Sequence, residues 1–215
     1  MAILANIKEA VIKGKTKEIG ALVQTALDEG ADPQDIINNY LIAAMNEVGA
    51  RFEAHKIFVP EMMIAARTMQ NGLAVIEPLI AGEDFKPEKL GTVVIGTVFG
   101  DLHDIGKNLV VLMLESSGFN VIDIGVNVPV ETFVEKAGEL GADVVGISSL
   151  LTTGDTNMKA TVAALKNSDL SKKAKIICGG AAVIEKRALD HWGADGYAQD
   201  AASAVRVINK LLAIN

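Results

Sequence analysis

The stretch Gly100-Asp101-Leu102-His103-Asp104-Ile105-Gly106-Lys107-Asn108 sets one histidine between two aspartates in a glycine-bordered segment. A neutral imidazole nitrogen is a good transition-metal ligand. A carboxylate that accepts the other ring N–H fixes the tautomer and strengthens the donor. His103 is therefore a candidate metal ligand, and Asp101 the candidate group that holds it. Asp104 also suits the first turn of a following helix, where a carboxylate complements the dipole. Further candidates sit just after apolar, β-rich runs. Ser148 and Leu150 follow one such run, Gly179-Gly180 another, and Tyr197 to Ala201 a third. Ser148-Ser149 would equally suit a plain strand end, and Gly179-Gly180 a tight turn.

These residues need a scaffold, and the apolar spacing predicts two. Residues 1–82 carry only helical periodicity. A first helix presents Ile3, Leu4, Ile7 and Val11; a second presents Ile19, Leu22, Val23, Ala26 and Leu27 and stops at Glu29-Gly30. A third opens with Asp32 as N-cap and Pro33 at the first helical position. Its apolar face is Ile36, Ile37, Tyr40, Leu41, Ala44, Met45, Val48 and Phe52. The fourth starts at Pro60 and runs through Met62, Met63, Ala66, Met69, Leu73 and Ile76, with the methionines filling core gaps. Four such segments predict a four-helix bundle. Residues 83–90 are charged and contain a proline, and read as a linker.

Residues 91–215 change pattern. Strand runs at 92–99, 120–125, 143–149, 174–178 and 195–198 alternate with helical runs at 105–117, 130–140, 155–165, 183–191 and 201–213. Five β/α units predict a parallel sheet covered on both faces. Right-handed crossovers favour the order 2-1-3-4-5, with a ligand crevice between the first and third strands.

Composition narrows the partners. The 215 residues are 50% hydrophobic with a net charge of −7, which argues against a nucleic-acid surface. No apolar run has the length of a membrane span, and the N-terminus lacks the pattern of a signal peptide. Cys178 is the single cysteine, so no intramolecular disulfide forms and a reducing, cytoplasmic setting is expected.

Taken together, Asp101-x-His103-x-x-Gly106, then 41 residues, Ser148-x-Leu150, then 28 residues and Gly179-Gly180 resemble the cobalamin-binding signature of methyltransferase corrinoid proteins. Cobalamin-dependent methionine synthase carries the same signature. The helical half resembles that family's cap domain through Met45-Asn46-x-Val48-Gly49-x-x-Phe52 and Lys56-x-Phe58-Val59-Pro60. The resemblance implies a flavodoxin-like (Rossmann-like) carrier domain with an α cap, binding cobalamin base-off and His-on. His103 would be the lower axial cobalt ligand and Asp101 the carboxylate behind it. Gly100, Leu102, Asp104 and Gly106 would contribute from the same loop. Ser148, Leu150, Gly179 and Gly180 would form a slot for the displaced nucleotide tail, with Thr152 and Ala201 at further tail-contacting positions. Phe52 and Val59 would cover the upper face of the corrin, although both also suit the bundle core.

The implied function is a methyl carrier that alternates between methylcobalamin and cob(I)alamin and is not catalytic alone. A substrate-specific methyltransferase would load it, and an acceptor methyltransferase would pass the methyl group to tetrahydrofolate or coenzyme M. A reductive activator would restore the cofactor. Methanol, methylamines, quaternary amines and aryl methyl ethers are donor candidates, and the partner chooses among them.

One position departs from the pattern. Methionine synthase extends its His–Asp pair with a serine, and Gly154 stands at that place here, leaving Thr153 or Asp155 as candidate substitutes. Other readings have their own marks. A cobalamin-dependent sensor would add DNA binding. A carbon-skeleton mutase subunit would use adenosylcobalamin and generally lacks the cap. A nucleotide-binding module would want Gly-x-Gly-x-x-Gly or a P-loop, which the first βα loop lacks. A receiver domain would want an aspartate where Ser148 and Ser149 stand.

Overall fold

The computed structural model describes residues 2–80 and 90–214. They form two compact units, a helical one and an α/β one, dividing at residues 89–90. Of the linker expected over 83–90, all but Leu90 lies outside the described residues.

In the helical unit, α1 (Ala2–Ile12) turns into α2 (Ile19–Asp28), which buries Ile19, Val23 and Ala26 along one stripe. Asp32 then starts α3 (Pro33–Asp35) as expected: its carboxylate accepts the Gln34 N–H at 3.3 Å, and Pro33 needs no partner at the first position. The helix continues through a π-helical stretch, Ile36–Ile42, into α4 (Ala43–Glu53). Periodicity alone did not predict that wider turn, which lets Ile36, Ile37, Leu41, Ala44, Met45 and Val48 all reach the core. Helix α5 (Val59–Ile80) begins one residue before the expected Pro60, where the Glu61 carboxylate accepts the Phe58 N–H at 2.7 Å. Helix α1 packs on α2, α4 and α5. Met62 and Met69 are buried, but Met63 is 51% exposed and is not the core residue expected. It follows Met62 directly, and adjacent helical positions are turned by about 100°.

The α/β unit alternates β1 (Thr92–Thr97), α6 (Ile105–Ser116), β2 (Asn120–Asp123), α7 (Val130–Glu139), β3 (Val144–Ser148), α8 (Asp155–Lys166), β4 (Lys175–Gly179), β5 (Gly196–Ala198) and α9 (Ala201–Leu211). The sheet is wholly parallel, in the order β2-β1-β3-β4-β5, as the crossover rule anticipated. Right-handed crossovers send the chain one way from β1 to β2 and the other way from β2 on to β3 and β4. Helix α6 therefore lies on the opposite face from α7 and α8. Val94, Val145, Ile147, Ile176 and Cys178 pack with Phe133, Ala137, Met158 and Val162 on the α7/α8 face.

The helix expected over 183–191 contracts to a segment ending in a π-helical turn, Arg187–His191. The Trp192 N–H closes that turn on the Arg187 carbonyl at 3.0 Å, and the wider turn delivers the indole into the core. Among the described residues no helix is long and apolar enough to cross a membrane.

Candidate functional site

The loop after β1 is shaped by glycine and pinned by side chains. Gly100 takes a left-handed conformation, φ 83°, which reverses the chain at little cost only without a Cβ. Its N–H donates to Asn127 Oδ1 at 2.7 Å, while Asn157 donates to the Phe99 carbonyl at 2.7 Å. The buried Thr97 hydroxyl donates to the His103 carbonyl at 3.0 Å. Asp104 accepts from the Asn108 side chain at 3.1 Å at the head of α6. These bonds set the loop across the carboxyl end of β1, where open α/β sheets bind ligands.

Asp101 is buried, and both its oxygens are saturated with donors. Oδ1 accepts His103 Nδ1 at 2.7 Å and the His103 N–H at 2.9 Å. Oδ2 accepts the Ser149 hydroxyl at 2.9 Å, the Leu150 N–H at 2.7 Å and the Leu151 N–H at 3.3 Å. Burial is the largest single influence and pushes the carboxyl pKa up. The donors from His103, Leu150 and Ser149 together outweigh it and hold the pKa at about 2. An ionised carboxylate only accepts, so Nδ1 carries a proton, and in the neutral ring Nε2 is left with its lone pair. The His103 side chain is 53% exposed.

The serine contact resolves the departure at Gly154. Thr153 is exposed, and Asp155 pairs with Arg187. Ser149, next to the serine singled out from sequence, supplies the hydroxyl instead. Gly154 has an ordinary helical backbone, φ −72°, but a Cβ there would come closer than 3.0 Å to Ser149 Oγ. The glycine at 154 makes room for the serine at 149. The sequence held one clue to this, a spare serine beside a motif whose usual serine is missing.

A cavity of about 560 Å³ opens beneath His103, within the α/β unit. Of the predicted residues, Leu102, His103, Asp104, Gly106, Ser148, Leu150, Gly179, Gly180 and Ala201 line it. Asp101 stands behind the imidazole. Gly100 shapes the loop, Thr152 is exposed on the turn before α8, and neither lines the cavity. Phe52, half-buried, and Val59, 38% exposed, belong to the helical unit. Gly180 owes its identity to its own chain. Its φ is 117°, and a Cβ would collide with the Ser149 backbone.

Sequence reasoning missed the interior of the cavity, which is lined by Val93, Ile95, Leu114, Ile177 and Ile208. It also missed Lys107, whose buried ammonium pairs with Asp123 and donates to Asn108 Oδ1 at 3.1 Å. At the mouth, Leu102 is 71% and Ile105 86% exposed. Apolar exposure on that scale beside a cavity marks a surface built to be covered. Among the described residues no three His, Cys, Asp or Glu side chains group as a metal site.

The chain matches two family profiles, each described as a B12 binding domain, over residues 3–77 and 91–206. It is 44% identical over 211 residues to the dimethylamine corrinoid protein of Methanosarcina barkeri, covering 98% of each chain. It resembles the crystal structure of the methanol:cobalamin methyltransferase complex MtaBC from the same organism, with a TM-score of 0.85 and 28% identity. That match covers 100% of this chain and 81% of the other. A cobalamin-binding protein from Desulfitobacterium hafniense DCB-2 is similar with a TM-score of 0.80 and 31% identity, covering 97% of this chain and 98% of that one.

Proposed function

The chain belongs to the B12-binding corrinoid proteins of methyltransferase systems, and from that premise we propose that it is a methyl carrier whose cobalamin is bound base-off with His103 as the lower axial ligand. The observation that carries this is the orientation of one imidazole. Asp101 engages Nδ1 and leaves the Nε2 lone pair available on a half-exposed ring above the cavity. A lone histidine is a poor site for a bare ion. It is sufficient for a metal that arrives with its in-plane donors already supplied by a macrocycle. The apolar side chains of Leu102, Ile105 and Leu150 offer such a macrocycle a dry surface. The cavity beneath, of a size usual for small-molecule sites, suits the displaced tail, with Ser148, Gly179, Gly180 and Ala201 along its entrance.

Bound cobalamin supplies the group-transfer chemistry, and the protein's residues orient it and tune it. Asp101 raises the basicity of Nε2 by holding the ring proton, and Ser149 with the Leu150 and Leu151 N–H groups keeps that carboxylate ionised. The similarity to a dimethylamine corrinoid protein and to a methanol:cobalamin methyltransferase complex favours a methylamine or methanol as donor. One methyltransferase would load the carrier, a second would unload it, and a reductive activator would maintain it.

The test is reconstitution of the apo-protein followed by electron paramagnetic resonance of the cobalt(II) state. A nitrogen triplet that becomes a doublet on labelling with ¹⁵N-histidine, and that is lost in His103→Ala, is expected. A spectrum unchanged by that substitution refutes the ligand assignment. Failure of reduced holo-protein to take a methyl group from methylamines, methanol, quaternary amines or aryl methyl ethers in competent cell extracts refutes the carrier role.

A further inference from the structure

The cavity has a mouth and a floor of different chemistry, and the sheet register orders them by depth. Thr97, Ser148 and Gly179 align at the carboxyl end; Ile95, Gly146 and Ile177 align two residues deeper; Val93 lies beyond, level with Val144. Polar lining groups collect at the mouth, where Ser148, Gln199 and Asp200 stand. The deeper rungs contribute Val93, Ile95 and Ile177 from the sheet, Leu114 from α6 and Ile208 from α9. All five are buried, with exposures of 5% or less.

No hydrogen-bonding group on this floor is free. Strands β1, β3 and β4 are each paired on both sides, so their backbone groups are spent in the ladder. Cys178 also borders the cavity, but its side chain packs in the core on the opposite sheet face. Lys107 is committed to Asp123. Among the described residues the buried side-chain polar atoms without a partner, Ser116 Oγ and Asn209 Oδ1, belong to residues that do not line it.

We propose that this floor selects the cofactor by the base on its nucleotide tail, taking an apolar benzimidazole and discriminating against a purine. The proposal rests on the base-off reading above. An adenine base would carry an exocyclic amine and extra ring nitrogens into a space whose walls are valine, leucine and isoleucine. Those groups would lose water and gain no partner. Dimethylbenzimidazole presents two methyl groups there instead. The base most exposed to this penalty is the one that differs most in polarity, not in size.

The experiment is calorimetric titration of the apo-protein with three corrinoids: dimethylbenzimidazolyl cobamide, adeninyl cobamide, and cobinamide, which has no nucleotide tail. Electron paramagnetic resonance of the cobalt(II) forms on ¹⁵N-histidine-labelled protein reports whether each binds base-off, by a doublet in place of a triplet. The adeninyl form is expected to bind about 100-fold more weakly than the dimethylbenzimidazolyl form, the scale on which an apolar pocket rejects an added polar group. Cobinamide is also expected to bind more weakly than the dimethylbenzimidazolyl form. Base-off binding of both cobamides within threefold of each other overturns the selectivity and leaves the axial-ligand reading standing. Base-on binding, or cobinamide binding as tightly as the complete cofactor, overturns the use of this slot. No binding of any corrinoid overturns the carrier reading and the selectivity with it.

Discussion

Gly154→Ala should destabilise the α/β unit although the backbone at 154 accepts any residue, with φ at −72°. The obstacle is spatial. The new Cβ would lie inside van der Waals contact of Ser149 Oγ and 3.2 Å from Ser149 Cβ. Ser149 cannot turn away freely, because its hydroxyl donates to the buried Asp101 carboxylate at 2.9 Å. Overpacking costs about 1–3 kcal/mol. The alternative, expelling the hydroxyl to avoid the overlap, forfeits a hydrogen bond to a charged group, about 1.5–3 kcal/mol. The relief of unfolded-chain entropy offsets at most about 1 kcal/mol, so a net loss of about 1–2 kcal/mol is expected. Ser149→Ala alone should cost about 1.5–3 kcal/mol. In Ser149→Ala/Gly154→Ala the clashing oxygen is gone, so the second substitution should cost little. The coupling energy should be about 1–2 kcal/mol. Trp192, the one tryptophan, is buried in the α/β core, so its fluorescence follows the unfolding of this unit in urea. A loss of 2 kcal/mol shifts the midpoint by about 1 M. Additivity of the two substitutions to within about 0.5 kcal/mol would refute the claim that Gly154 exists to admit Ser149. Ser149→Ala/Gly154→Ser, which returns a hydroxyl from the facing position, should recover part of the stability that Ser149→Ala loses.

Other substitutions separate neighbouring effects. Gly180→Ala meets both an adverse φ of 117° and the Ser149 backbone, so it should cost more than about 3 kcal/mol. Because the obstacle is main chain, Ser149→Ala should not rescue it, and rescue in the same urea assay would count against this geometry. The Asp101 pKa is depressed from 3.8 to about 2, so its contribution is present above pH 4 and is lost as pH falls toward 2. The shift corresponds to about 2 kcal/mol. The stability gap between the apo-protein and Asp101→Asn should therefore shrink by about that amount between pH 5 and pH 2, and a constant gap would contradict it. Burial pushes the Cys178 thiol up to about 12. Alkylation at pH 8 should therefore proceed only through unfolding, and rapid labelling of the native protein would show the site to be open.

Much of the scaffold was legible because its signals are local. Asp32-Pro33 marks a helix start wherever it falls, and its cap bond formed as expected. The β/α alternation, joined to the handedness of crossovers, was enough to order five strands. That order then placed the loops bearing His103, Ser148 and Gly179 at one sheet edge. The misses are of another kind. Met63 sits within a correctly anticipated helix yet faces outward, because rotation about an axis is settled by what packs beside it. The π turns at Ile36–Ile42 and Arg187–His191 keep the helical pattern while changing its pitch to satisfy the core.

By itself the sequence determined that one imidazole and its carboxylate partner would stand at the carboxyl end of a parallel sheet. Two residues on one loop can meet whatever the rest of the chain does. Only the tertiary structure decided what lies behind and beneath them. Ser149 is 48 residues from Asp101 and reaches it because β1 and β3 are neighbours in register. Gly154 becomes intelligible only with that hydroxyl in place. The apolar floor is likewise distributed over two helices and two strands, each an ordinary core stripe when taken alone. Burial, register and close approach are properties of segments brought together, and they set a histidine loop at the mouth of a cavity with an interior of its own.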